Sequence, residues 1–329
     1  MLTRQQTHRP AALVSVPANR PPAGDFAADM LAALAARPRC LSPKYFYDEK
    51  GSALFDQICQ LPEYYPTRAE LALLAAHAAE IAGQIGPDAE IVEFGAGSLR
   101  KIRLLLDALD HPVRYVPLDI SGAHLAASAK ALQRGYPGLS VLPVVADYTA
   151  ALPLPQKAGG AARRVGFFPG STIGNLSPAE ALAFLKQAGR ALRGGALLLG
   201  VDLVKDPSVL HAAYNDAQGV TAAFNLNLLG RANRELDADF DVSGFVHSAF
   251  YNAPLQRVEM HLMSRRAQRL RVCGQSFAFA EGETLHTENS YKFTMGGLRE
   301  LAVKAGFEPG PAWTDPQEQF CLHWLQAPA

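Results

Sequence analysis

The period of the apolar positions changes along the chain. Between 26 and 34 apolar residues recur at helical spacing; Pro38 and Pro43 then interrupt the chain ahead of an aromatic cluster, Tyr45-Phe46-Tyr47. Thr67-Arg-Ala-Glu70 reads as a capping box at the head of an Ala/Leu-rich helix that should end near Gly83. From there, short β-branched or apolar runs at 90–94, 113–118, 140–145, 164–168 and 196–201 alternate with helical stretches. That alternation predicts a parallel, doubly wound α/β sheet. The helix before the last run is marked at both ends. Ser177 and Glu180 form a capping box, Pro178 takes the first helical position, and Gly194-Gly195 ends it.

After Lys205 the texture turns polar and Asn/Asp-rich over 212–241, followed by strand-like alternation at 257–262. A helix over 298–305, stopped by Gly306, and a last strand through Cys321-Leu-His-Trp-Leu325 would complete the sheet from its far edge. The polar stretch is therefore an insertion. The expected architecture is α/β, a doubly wound sheet with a second, smaller α+β domain inserted. Residues 69–204 with 295–329 form the sheet domain, and 26–68 with 205–294 form the smaller one. Residues 1–25, rich in Pro, Arg, Gln and small side chains, bury too little apolar surface to offset chain entropy and are expected to be a mobile tail.

Composition narrows the function. Of 329 residues, 49% are hydrophobic and 19% charged, enough for ordinary cores. Lys+Arg and Asp+Glu both number 31, so no net field attracts phosphate backbones or anionic lipid, and nucleic acid is not expected as a partner. No apolar run approaches the roughly 20 residues that span a bilayer, and the weakly apolar stretch at 10–18 makes a poor signal sequence, so no membrane association is expected. Cys40, Cys59, Cys273 and Cys321 form no CxxC pair, and the nine histidines have no ligand spacing. Reduced thiols, a cytoplasmic location and no metal are expected.

Glu93-Phe-Gly95-Ala-Gly97-Ser98 follows the first strand and precedes a helix, so its glycines let the backbone turn and approach a ligand. The dinucleotide fingerprint wants a third small residue where Arg100 stands, which argues against NAD. A loop that admits the methionine part of S-adenosyl-L-methionine fits better. Asp119, at the end of the second strand, can then accept both ribose hydroxyls, and Asp147, at the end of the third, the adenine amine. Any one of these strand-end acids alone reads as an ordinary helix cap. Together, at the carboxyl ends of successive strands, they mark a ligand site.

The segments Tyr45-Phe-Tyr-Asp-Glu-Lys-Gly-Ser-Ala-Leu-Phe55 and Leu61-Pro-Glu-Tyr-Tyr-Pro-Thr-Arg68 closely resemble the signature of the histidine-specific Nα-methyltransferases of ergothioneine biosynthesis. The resemblance continues through Gly170-Ser-Thr-Ile-Gly-Asn175, Asp202-Leu-Val-Lys205, Gly219-Val-Thr-Ala-Ala-Phe224 and Thr287-Glu-Asn-Ser290. It implies a class I methyltransferase domain and three successive methyl transfers, from S-adenosyl-L-methionine to L-histidine and its mono- and dimethyl forms, giving hercynine. It implies cofactor contacts at Gly95, Lys101, Asp119, Asp147 and Tyr148. The histidine contacts it implies are Tyr64, Gly170, Asn175, Tyr214, Glu288 and Ser290. Ala96 and Ser98-Leu99 depart from the family's usual loop without removing a group the chemistry needs.

These side chains suit the substrate. A neutral imidazole has one N–H and one lone pair; Glu288 can accept from the first and Ser290, two residues on, can donate to the second. Asn175 and Tyr214 can supply donors to the carboxylate without a formal positive charge, and a nearby Lys or Arg is expected to be absent because the sulfonium is already cationic. Tyr47 is the candidate for orienting the attacking amine; otherwise it is an aromatic core residue. Met260, alternating with Glu259 and His261, either lines the imidazole pocket or packs in the core. A monomer is expected. The competing reading is an N-methyltransferase for another aromatic amino acid or amine, which Glu288 with Ser290 disfavours because an indole offers Ser290 no acceptor.

Overall fold

The apolar runs become strands because each carries apolar side chains on both faces and lies between two helical layers. In the computed structural model, which describes residues 26–97, 99–149 and 152–329, they form one eight-stranded sheet. The expected tail at 1–25 and Ser98 of the glycine loop lie outside the described residues. The sheet runs Glu308–Thr314, Phe320–Gln326, Ala196–Asp202, Arg163–Phe168, Ala89–Phe94, Arg114–Asp119. Two short strands, Ser140–Val141 and Val144–Val145, both pair with the last of these. All strands are parallel except the two from the C-terminal segment, which join antiparallel at the far edge. The single run expected at 140–145 is divided at Leu142-Pro143, since proline has no N–H to give to a ladder.

Alternating side chains feed two cores. Ile91, Tyr115 and Leu198 pack on one face of the sheet with Trp324, while Val92, Phe94, Val116 and Leu199 pack on the other. The helix Pro178–Ala191 carries the expected capping box and proline. The helix Tyr65–Ile85 does not begin as expected. It starts two residues before Thr67, its N-terminal turn holds Pro66, and Glu70 is fully buried rather than folded back as a cap.

A second sheet runs in the order Arg39–Cys40, Thr284–Tyr291, Arg257–Ser264, Phe245–Asn252. Its apolar cluster combines Phe26, Met30, Phe46, Leu228, Met260 and Leu285, so residues before the long helix share a core with residues beyond 210. The polar stretch 212–241 contains the end of the helix Pro207–Tyr214 and the whole of the helix Val220–Glu235. Asparagine's weak helix propensity hid the second one. Asn225 and Asn227 are buried there, Asn225 donating to the His261 carbonyl and Asn227 to Asp48. The chain crosses between the sheets at Leu203 and at Phe293, and the two crossings bridge each other. Among the described residues no helix is long and apolar enough to cross a membrane.

Candidate active site

A cavity of about 710 Å³ lies at the carboxyl ends of the parallel strands, between the large sheet and the edge of the small one. Gly95 turns the chain there at φ +72°, so that the amides of Gly95 and Ala96 both donate to the Leu118 carbonyl. This pins the loop beside Asp119. Asp119 Oδ1 accepts from the Ser121 amide at 2.8 Å, and Asp147 Oδ1 from the Thr149 amide at 2.9 Å. Both carboxylates line the cavity, as do Gly95, Lys101 and Tyr148. The Tyr148 ring packs edge-on against Phe168 and Phe184, and burial raises its phenol pKa. Lys44 reaches across from the small domain to within 3.6 Å of Asp147.

The five expected cofactor residues thus line one cavity, but Lys101 has a protein partner. Its Nζ is 2.5 Å from Glu70, whose two carboxylate oxygens also accept from the Gly170 amide. Gly170 therefore meets the cavity with its amide already engaged.

A recess of about 60 Å³ adjoins the cavity, shares Tyr47, Tyr64, Gly170, Asn175 and Glu288 with it, and is bordered also by Tyr214 and Ser290. Glu288 and Ser290 share the strand Thr284–Tyr291, after a bulge between His286 and Glu288. Period two then turns both side chains to the recess. Burial pushes the Glu288 carboxyl up to about 7, against the opposing pull of Lys292. Tyr47 and Tyr64 are pushed well above the usual phenol range, chiefly by burial, with the Glu288 charge adding to it. Such phenols stay protonated, so Tyr47 can orient a substrate but is no anionic base. Its ring packs edge-on against Phe55 and Phe224. Met260 pairs with Glu288 across the strands yet is buried in the small domain's core and does not line the cavity.

One expectation is overturned here. Lys292, fully buried, reaches Tyr214 at 3.1 Å and Ser290 at 2.8 Å, placing a cation directly behind the recess. Its charge is tolerated because Asp202 lies 2.8 Å away. Sequence reasoning missed Lys292, Asp202 and Glu70 as site-building groups. The signal for Lys292 was present, since it stands two residues after Ser290, just past the end of the strand. For Glu70 there was none.

Glu259, His261 and His286 also gather, with potential ligand atoms within 4.8 Å of one another. The two imidazoles stack at 4.5 Å and 14°, so their in-plane lone pairs run nearly parallel and do not converge on one ion. Glu259 is held by Arg257 and Asn252. All four cysteines are free thiols.

A family model described as histidine-specific, S-adenosylmethionine-dependent methyltransferase matches residues 26–327. The chain is 44% identical over 300 residues to the histidine N-alpha-methyltransferase of Mycolicibacterium smegmatis, covering 89% of this chain and 92% of that one. Identity and coverage are the same for the histidine N-alpha-methyltransferase of Mycobacterium tuberculosis. Identity is 31% over 309 residues to ergothioneine biosynthesis protein 1 of Neurospora crassa, covering 88% of this chain and 33% of that longer one. With a class I methyltransferase sheet, a glycine loop turning beside Asp119 and a family match over nearly its whole length, this chain belongs to the histidine-specific, S-adenosylmethionine-dependent methyltransferases.

Proposed function

We infer that the protein transfers methyl groups from S-adenosyl-L-methionine to the α-amino nitrogen of L-histidine, three times in sequence, giving hercynine in ergothioneine biosynthesis. The observation that carries this reading is the adjacency of two spaces. A chamber lined by Gly95, Asp119, Asp147 and Tyr148 shares walls, Glu288 among them, with a recess where Glu288 and Ser290 stand on one strand face.

The donor set suits the cofactor. Asp119 would accept from the ribose hydroxyls, Asp147 from the adenine amine, and Tyr148 would pack beside the base, while Lys101, tied to Glu70, holds the glycine loop against Gly170. Bound there, the sulfonium supplies an electrophilic methyl group. Glu288 takes the imidazole N–H and Ser290 the ring lone pair, Asn175 donates to the carboxylate, and Tyr214, whose hydroxyl gives its hydrogen to Ser290, borders the site. Tyr47 and Tyr64 border the place left for the amine. The amine attacks only as the free base, because an ammonium has no lone pair; one proton leaves to solvent before each of the three transfers. Rate acceleration then rests mainly on holding nitrogen, methyl carbon and sulfur in line. The trimethylated product has neither N–H nor lone pair, which ends the sequence.

One chain lines both spaces, which supports a monomeric enzyme, and the four free thiols support a reducing, cytoplasmic location. The test is incubation of the purified protein with histidine and S-adenosylmethionine, followed by mass spectrometry. Stepwise gain of three methyl groups is expected. Methylation of tryptophan or phenylalanine in preference to histidine would favour the competing aromatic-amine reading.

A further inference from the structure

We propose that Lys292 is a positioning residue that fixes the hydrogen-bond direction of the Tyr214–Ser290 pair, so that the pair presents one obligate donor to the recess and thereby selects a substrate ring that carries a lone pair. The inference rests on the reading of Glu288 and Ser290 as the imidazole site and explains why Ser290 can act only as its donor.

The argument is a count of hydrogens. Lys292 Nζ is 2.8 Å from Asp202 Oδ2, 2.8 Å from Ser290 Oγ and 3.1 Å from the Tyr214 hydroxyl. An ammonium has three N–H donors and no acceptor, so these contacts use every hydrogen and oblige both hydroxyl oxygens to accept. The Tyr214 hydroxyl is itself 2.7 Å from Ser290 Oγ. One of the two hydroxyls must donate to the other. Two hydroxyl hydrogens enter the group and one is consumed inside it, so one is exported. The phenol is the stronger donor, so Tyr214 gives to Ser290. Ser290 then accepts from both Lys292 and Tyr214, its lone pairs are used, and its own hydrogen turns to the recess that it borders with Glu288.

Lys292 keeps its proton in this setting. Burial works against the ammonium, but Asp202 outweighs it and the pKa is raised. Asp202 is in turn saturated, accepting from Tyr65 at 2.7 Å and from Lys205 at 2.5 Å as well. Lys292 itself does not line the recess, so it acts through Ser290 rather than on the substrate. With the ammonium gone, the hydroxyl pair is free to invert and Ser290 could accept a ring N–H instead. The polarity that distinguishes the two ring nitrogens would be lost.

The test compares histidine with a pyrrolylalanine, which keeps a ring N–H and lacks the lone pair, in wild type, Lys292→Met and Lys292→Gln. Wild type should prefer histidine by roughly a hundredfold in kcat/KM, because the analogue leaves the buried donor unpaired. Lys292→Met should bind S-adenosylhomocysteine like wild type, raise KM for histidine more than it lowers kcat, and narrow the preference about tenfold or more. Lys292→Gln, which still offers two N–H donors, should keep most of the preference. A preference unchanged in Lys292→Met, or lost equally in both variants, overturns the inference while leaving the ring assignment standing. A wild type that methylates both compounds equally overturns the ring assignment and this inference with it. If Lys292→Met does not bind S-adenosylhomocysteine, a double-mutant cycle of Lys292→Gln with Ser290→Ala carries the test: coupling in the preference supports the inference, and additivity overturns it.

Discussion

Glu70 accepts the Gly170 amide with both carboxylate oxygens, at 3.0 and 2.9 Å, across a hundred residues of sequence. The same carboxylate holds Lys101, so one buried acid joins the long helix, the loop after the strand Arg163–Phe168 and the helix that follows the glycine loop. The space for it exists because residue 200 is glycine; a Cβ there would stand 2.1 Å from Glu70 Oε1. Removing one partner of a buried ion pair strands the other, so Glu70→Ala should cost about 3 kcal/mol of stability, and Glu70→Gln, which keeps one acceptor, less. Equilibrium denaturation measures both. An alanine variant as stable as wild type would show that the pair contributes nothing.

Asp119 lines the cavity at the end of its strand, and its Oδ1 accepts from the Ser121 amide at 2.8 Å. Asp119→Ala removes a charged acceptor without opening the core. Affinity for S-adenosylhomocysteine should fall by roughly 1.5–3 kcal/mol, with the melting temperature of the free protein little changed. Titration calorimetry reads the first and a thermal melt the second. An unchanged affinity would take Asp119 out of the cofactor site.

Glu288 should carry ring specificity. A site built to hydrogen-bond a polar ring rejects analogues that leave its buried groups unpaired, and alanine removes that penalty. For Glu288→Ala, kcat/KM with histidine should fall by about a hundredfold or more, and discrimination against phenylalanine and tryptophan should weaken. S-adenosylhomocysteine should still bind. Wild-type kinetics with an unchanged substrate ranking would mean that the imidazole is read elsewhere.

The same carboxyl gives a pH dependence. Burial raises the Glu288 pKa to about 7 from its ordinary 4.5, so the folded state without substrate resists its ionisation. That penalty is absent below the unfolded pKa, grows as pH rises between the two values, and is complete above about 7. Glu288→Gln should therefore melt higher than wild type at pH 8, with the gap closing toward pH 5. A gap that is constant across this range would show that Glu288 ionisation is not what sets it.

Much of the frame was legible in the chain itself. The runs that became Ala89–Phe94 and Ala196–Asp202 carry apolar side chains on both faces, which a strand covered on both sides buries. Ser177, Pro178 and Glu180 announced their helix because a cap is a local event, settled within four residues. Glu288 and Ser290 were readable as a pair for the same reason: period two is a property of the strand, and the bulge before Glu288 leaves it intact. Thr67 and Glu70 had the spacing of a cap, but burial beside Lys101 and Gly170 claimed the carboxylate instead. Met260 had two readings from alternation alone, and packing placed it in the core. A cation beside the site ran against the positive charge of the cofactor, yet Lys292 sits there against Asp202, ninety residues earlier. The sequence by itself determined which segments fold as strands and helices and which side chains share a face, because those depend on neighbours a few residues away. Only the tertiary structure decided which buried charges meet, because the cost of burying Glu70, Asp202 or Lys292 is offset by partners that the chain brings together from far along its length.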